Sequence, residues 1–489
     1  MRRLATIAFG AVGLVAFFAP PVSEATAKDA AAAGELFSRG YTTWIYVNPA
    51  RSERRLGYVR VGESVRLRNE PAVKGPGCAE AFLPVSPFGY VCKDRTVSLG
   101  IAGRYLKGMQ LARTRPGLMP FSFALSNGTP MYRRLPSPAE WEKEERFLGK
   151  PGSFRPQSWG NRGHEKLAET RTIAPTDETP WFLADGGSIG REKPHGLKRR
   201  MIPHGSMLAY TRSFTHAGRT FVLSADGTVV PADRIRPFRV SKFRGTELGK
   251  GVQLPLAFFR QKARPQFVQN TKGDFEALGE AFAVRSFVGL KPGAEPVRVG
   301  RDSYLETLAK TAQGTAIWAK ESDATVVKKR DGRPIGVAAG EKWLLISITN
   351  GTLVAYEDET PVYATLHSPG AGGVPIKGKN PVKMSTTPMG VYRVTFKHHA
   401  ATMSPEFGEN RSFWIADVPY TQYFNAPFAL HTAYWHEDFG QPMSAGCVNL
   451  SPEDGRHLFG WTDPKLPAGW NGAAPLGPLG KGTYVVVTR

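Results

Sequence analysis

At 489 residues the chain is too long for one hydrophobic core, and two to four domains are expected. A composition of 41% hydrophobic and 22% charged residues excludes a disordered or fibrous protein, and 53 Gly with 39 Pro disfavours long helical bundles. The formal net charge of +22 points to an anionic partner: nucleic acid, anionic lipid or a polyanionic polymer.

The N-terminus narrows that choice. Met1-Arg2-Arg3 precedes an apolar run from Leu4 to Ala19, and Ala25-Thr26-Ala27 follows as a small-x-small cleavage site. This is the plan of a secretory signal peptide over residues 1–27. The run is shorter than the ~20 residues of a membrane-spanning helix. No cysteine follows it, so a lipoprotein anchor is not expected. Export to the periplasm or cell envelope removes nucleic acid from the partners and leaves the wall or lipid.

Residues 36–110 carry short β-type runs, Thr42 to Val47, Gly57 to Val61 and Gly89 to Cys92, separated by turn residues as in a small barrel. Cys78 and Cys92 lie close in this stretch, and an oxidising compartment favours pairing them; such a loop is worth ~3 kcal/mol in the chain-entropy model. Residues 111–200 are rich in Pro, Gly and charge, and read as linker around one helical signal at Pro138 to Phe147. Over 201–260 the β pattern returns: Thr220 to Leu223, the turn Asp226-Gly227, and Thr228 to Val230 form a predicted hairpin. Residues 261–341 are a further β-rich connecting region. The basic clusters Lys198-Arg199-Arg200 and Lys328-Lys329-Arg330 read singly as solvated loop charge.

The last block, 342–489, is the best defined. Trp343 to Ile348 and Thr352 to Tyr356 flank an Asn350-Gly351 hairpin turn, Pro361 to Leu366 is a third strand, and Thr483 to Thr488 is the last. One helix, Pro452 to Phe459, is expected, with Ser451 as its N-cap and Asp454 three residues on.

Within this block lies the third cysteine, Cys447, the odd thiol of an exported chain. A thiol attacks a carbonyl as thiolate, and an imidazole can take its proton; His431 lies sixteen residues upstream. Gly446 before it permits close backbone approach, and main-chain N–H groups beside a nucleophile can hold an oxyanion. Spacing alone does not prove that these groups meet. A zinc site built on His431, His436 and Cys447 matches no common ligand pattern, so no metal or cofactor is expected.

The segment His431 through Asn449 resembles the signature of the L,D-transpeptidase (YkuD-like) family: His then a small or hydroxyl residue, and sixteen residues on Ser-His-Gly-Cys-hydrophobic-Asn/Arg. Thr387-Pro388-Met389-Gly390-Val391-Tyr392 and the hairpin Trp343 to Tyr356 resemble flanking parts of the same domain. The resemblance implies a mostly β catalytic fold with a short helix. It implies Cys447 as the acylated nucleophile and His431 as base, its second ring nitrogen fixed by a carbonyl near Thr432. Gly446 and Cys447 would donate to the oxyanion, Ser444 would organise the loop, and Asn449, Trp435 and Tyr420 would face substrate, with Tyr423 and Phe424 in the cleft. One residue departs: Ala445 stands where the family has His, with His436 either a substitute or a structural histidine. Residues 36–110 and 201–260 resemble, more loosely, bacterial SH3-like modules. The implied function is crosslinking or modification of peptidoglycan stem peptides in cell-wall biogenesis. The acyl acceptor would be another stem, an envelope-protein lysine, a D-amino acid or water. The rival readings are a wall-binding scaffold with a degenerate catalytic domain, and an amidase or L,D-carboxypeptidase on the same domain.

Overall fold

A computed structural model describes residues 34–52, 54–154, 163–249, 251–403 and 413–489; the signal-peptide reading lies outside them. Strands dominate and the mostly β class holds. No helix among the described residues is long and apolar enough to cross a membrane.

In the C-terminal block, Lys342–Ser347 pairs antiparallel with Thr352–Glu357 through the Asn350-Gly351 turn. Thr360–Leu366 continues that sheet on one side, while Tyr484–Thr488 pairs parallel on the other and is followed by Gly390–Arg393. The central strands are covered on both faces, which is why their sequences run as unbroken apolar stretches rather than alternating. A second sheet holds Phe396–Met403, Ile415–Asn425, Phe428–Thr432 and Val448–Leu450. Leu344, Ile346, Leu353, Leu430, Val448 and Leu450 close the core between the two sheets.

The helix Pro452–Trp461 starts where the sequence placed it. Asp454 N–H donates to the N-cap hydroxyl of Ser451 at 3.0 Å. The Asp454 carboxylate serves a different purpose from a capping box. Fully buried, it accepts from Gly245 N–H (2.8 Å), Tyr363 Oη (2.7 Å) and Thr365 Oγ1 (2.6 Å), tying the helix to a sheet edge and to an upstream loop. The other helix end is held by buried Lys397, whose Nζ donates to the carbonyls of Phe459 (2.5 Å) and Thr462 (3.1 Å), and whose pKa burial pushes down to about 7.

The upstream modules differ from the expected closed barrels. Thr42–Tyr46, Arg55–Arg60, Phe82–Pro84 and Tyr90–Cys92 form an open sheet, and Glu35–Ser38, Ser64–Arg66 and Val97–Leu99 form another. The reason is an edge taken by the C-terminal block: Gly57 and Tyr58 pair with Ala473 and Gly472, which also pair with Lys397 and His398. Trp470 lies in the same apolar cluster as Leu36, Ile45 and Val59. Cys78 and Cys92 are bonded, with Cα atoms 5.7 Å apart.

In the Pro/Gly-rich stretch, Ser122–Ser126 and Thr129–Tyr132 are paired strands of the module that follows. The hairpin Arg219–Ser224 to Val229–Pro231 is present, and the adjoining Met207–His216 touches Ile415 in parallel through Met207. The helix Pro138–Glu145 opens with a full capping box from Ser137 and Glu140. Residues 256–327 form two further small sheets. The largest core cluster runs from Phe121 through Phe258 to Tyr434 and Val486, while Phe221 and Leu305 belong to separate clusters.

Arg60 and Asp417 form an ion pair across this joint, both nearly buried, and Asp417 raises the Arg60 pKa against the pull of burial. Removing one partner of such a pair costs about 3–5 kcal/mol. Asp417→Asn is therefore expected to lower unfolding free energy by about 3 kcal/mol in denaturant titrations of the whole chain, and Arg60→Met with Asp417→Leu to recover most of it.

Candidate active site

The short strands Phe428–Thr432 and Val448–Leu450 run parallel, with Leu430 opposite Val448 and His431 opposite Asn449. Leu430, Val448 and Leu450 face the core. Side chains alternate along a strand, so His431 and Asn449 share the opposite face, and Cys447 stands one residue before the second strand. Cys447 is half-buried and lies outside the disulfide; its Sγ is 4.0 Å from the Pro427 carbonyl.

His431 is buried, and its Nδ1 lies 3.2 Å from the Thr432 carbonyl. Donation to that carbonyl fixes the tautomer and leaves Nε2 as the basic nitrogen. Burial pushes the imidazole pKa down to about 4, with the Thr432 carbonyl opposing. Thr432 itself is fully buried.

The turn that leads into Cys447 is built from its own atoms. Ser444 Oγ donates to the Cys447 carbonyl at 2.5 Å and accepts from Gly446 N–H at 3.0 Å. Gly446 N–H is thus engaged within the turn, and its first role here is scaffold rather than open oxyanion donor. Gly446 has φ 123°, and a Cβ there would sit 2.4 Å from Phe428 Cε1, so only glycine fits. Ala445 is exposed on the outside of the turn.

His436 is a structural histidine. It is fully buried, its Nδ1 accepts from Asp438 N–H at 3.2 Å, and its Nε2 lies 3.0 Å from the Asn449 side-chain amide. A neutral imidazole accepting at Nδ1 carries its proton on Nε2, so the Asn449 group facing it is the amide oxygen. Asn449, expected to face substrate, therefore holds His436 instead. Trp435 and Tyr420, also expected at the substrate, are 3% and 5% exposed. Trp435 lies between the rings of His431 and His164, each 5.8 Å away, and Tyr420 donates to the Leu118 carbonyl at 2.7 Å. Phe424 is core, and Tyr423 packs on His398.

Residues 433–447 join His431 to Cys447 without regular structure, and several of their polar groups find partners outside the segment. Pro369 O accepts from Met443 N–H (2.9 Å) and Ser444 N–H (3.1 Å), and Ala371 N–H donates to Ser444 O (2.7 Å). Gly440 O accepts from Arg260 Nη1 (2.9 Å). Glu437 is held by Arg239 and by Arg285 (2.6 Å), and Asp438 by Lys166 (2.7 Å). Phe243 stacks on Phe439 at 5.5 Å. Gly351 at the hairpin turn comes so close that a Cβ would sit 2.6 Å from Gly440 O. None of these supports was anticipated: single arginines spread over a basic chain carry no address. Among the described residues no His, Cys, Asp or Glu group could hold a metal ion.

Burial also pushes His367, His398 and His399 down to about 4, and His436 well below its ordinary value. Between about pH 6.5 and 4 the unfolded chain binds protons that the folded chain does not, so stability falls as pH falls through this window. Asp454, raised by burial, opposes this above its usual 3.8. Thermal melts of residues 28–489 should show Tm dropping steadily from pH 6.5 to 4.5, with a shallower slope in His436→Gln. A flat profile would contradict the burial of these rings.

Residues 341–487 match the family model of the L,D-transpeptidase catalytic domain (YkuD). No curated protein matches the chain. Similar solved structures include an L,D-transpeptidase from Stackebrandtia nassauensis, 25% identical over 31% of this chain and 57% of that one, TM-score 0.21. A second, from Xylanimonas cellulosilytica, is 22% identical over 32% and 64%, TM-score 0.21. The catalytic domain of the E. faecium L,D-transpeptidase is 20% identical over 31% of this chain and all of that one, TM-score 0.23. This chain thus spans under two thirds of the first two structures. Residues 341–487 are thus similar to the L,D-transpeptidase catalytic-domain family.

Proposed function

We propose that the chain is an exported cysteine acyltransferase acting on peptidoglycan stem peptides. The observation that supports this reading is the parallel register of Phe428–Thr432 with Val448–Leu450, which sets His431 opposite Asn449, two residues after Cys447. His431 Nε2 takes the thiol proton, and the resulting thiolate stabilises the imidazolium that burial alone disfavours. Cys447 Sγ bonds to the carbonyl carbon of the third stem residue. The Gly446–Cys447 turn offers main-chain N–H groups to the oxyanion, Gly446 exchanging its contact with Ser444 for the developing charge. The C–N bond to D-Ala breaks, the leaving amine takes the proton from His431, and a thioester remains. An amine then attacks that carbonyl, the thiol is restored, and a new amide forms. With water as acceptor the same site is an L,D-carboxypeptidase. The net charge of +22 favours association with an anionic wall.

Mass spectrometry of muropeptides incubated with residues 28–489 is the test. D-Ala release with new crosslinks or exchange products is expected, and none with Cys447→Ala. Absence of all these products across several donor stems, with a thiol that still reacts with alkylating agents, would contradict the transpeptidase reading.

A further inference from the structure

A cavity of about 460 Å³ lies behind the active-site loop, between the upstream modules and the catalytic domain. That is within the roughly 300–1,000 Å³ of small-molecule sites. Its walls carry Arg115, Arg171 and Arg239, the phenol of Tyr210, and the rings of Phe123 and Tyr434. Phe123 and Tyr434 stack with centroids 3.9 Å apart and make a flat apolar floor. No acidic side chain lines it.

The three guanidiniums are oriented from outside the cavity. Arg115 pairs with Asp177 at 4.0 Å, Arg171 with Glu169 at 2.5 Å, and Arg239 with Glu437. A guanidinium has five N–H donors, and one carboxylate engages about two of them, so donors remain for a ligand. All three arginine side chains are about half exposed or more. Burial raises the Tyr210 pKa, so its hydroxyl stays a donor at neutral pH.

We propose that this cavity binds a short acidic peptide. Planar guanidinium forks match carboxylates in two-point contact better than they match a point charge. The apolar floor, together with Pro116, Pro120 and Pro237 in the wall, suits the uncharged atoms between two carboxylates rather than a small inorganic anion. The site adjoins the catalytic loop: Tyr434 belongs to it, and Arg239 grips its Glu437. The proposal does not depend on the reaction assigned above.

The test is calorimetric titration of the full mature chain, at about 0.15 M ionic strength where the Debye length is ~8 Å, with acetyl-Glu-Ala-Glu-amide and with acetyl-Gln-Ala-Gln-amide. The diglutamate peptide is expected to bind at least roughly tenfold more tightly, and Arg115→Gln with Arg171→Gln to lower its affinity at least tenfold, with an unchanged melting temperature showing that the variant folds. Lys328→Gln with Lys329→Gln removes the same charge from an exposed cluster elsewhere and should leave affinity unchanged. Equal binding of the two peptides, or equal weakening by the two pairs of substitutions, would overturn the proposal.

Discussion

Two parallel strands cannot be joined by a tight turn; they need a crossover of a dozen or more residues, usually a helix. The ladder that sets His431 opposite Asn449, two residues after Cys447, is parallel, and its crossover, 433–447, is not helical. Irregular backbone inside a packed domain must find hydrogen-bond partners elsewhere. Much of the rest of the molecule answers that need. Ser368, Pro369 and Ala371 pair with the nucleophile side of the crossover, and His367 O accepts from Gly440 N–H at 2.9 Å. The upstream modules supply Lys166, Arg239, Phe243, Arg260 and Arg285 to its middle.

The modules ahead of the catalytic block are therefore part of its architecture. They share sheet edges with it at Gly57–Tyr58 and at Met207, they share apolar clusters with it, and they clamp the loop between His431 and Cys447. Glu437 and Asp438, two acids in a strongly basic chain, draw cations from separate segments to one loop.

Much of the catalytic block was legible in the sequence because its signals are local. Asn350-Gly351 and Asp226-Gly227 mark hairpins through turn chemistry, Ser451 marks a helix start, and 431–449 is one contiguous segment that maps onto one ladder and its crossover. The roles of Asn449, Trp435 and Tyr420 were less legible, since a polar or aromatic residue near a nucleophile looks alike whether it faces substrate or core. Burial decides, and burial depends on partners such as Leu118 and His164, hundreds of residues away. The open sheets at the N-terminus were illegible for the same reason. A two-residue strand, Gly472–Ala473, has no periodicity to read, yet it takes the edge that a barrel would have closed.

The pairing of His431 with Cys447 is tested most directly by the pH dependence of Cys447 alkylation in the full mature chain, since Cys78 and Cys92 are bonded and leave it the reactive thiol. A thiolate formed through His431 gives fast alkylation near neutral pH. His431→Asn should then slow it at least about tenfold and move the profile toward the ordinary thiol pKa of ~8.5. The same rate and the same profile in both proteins would contradict the pairing.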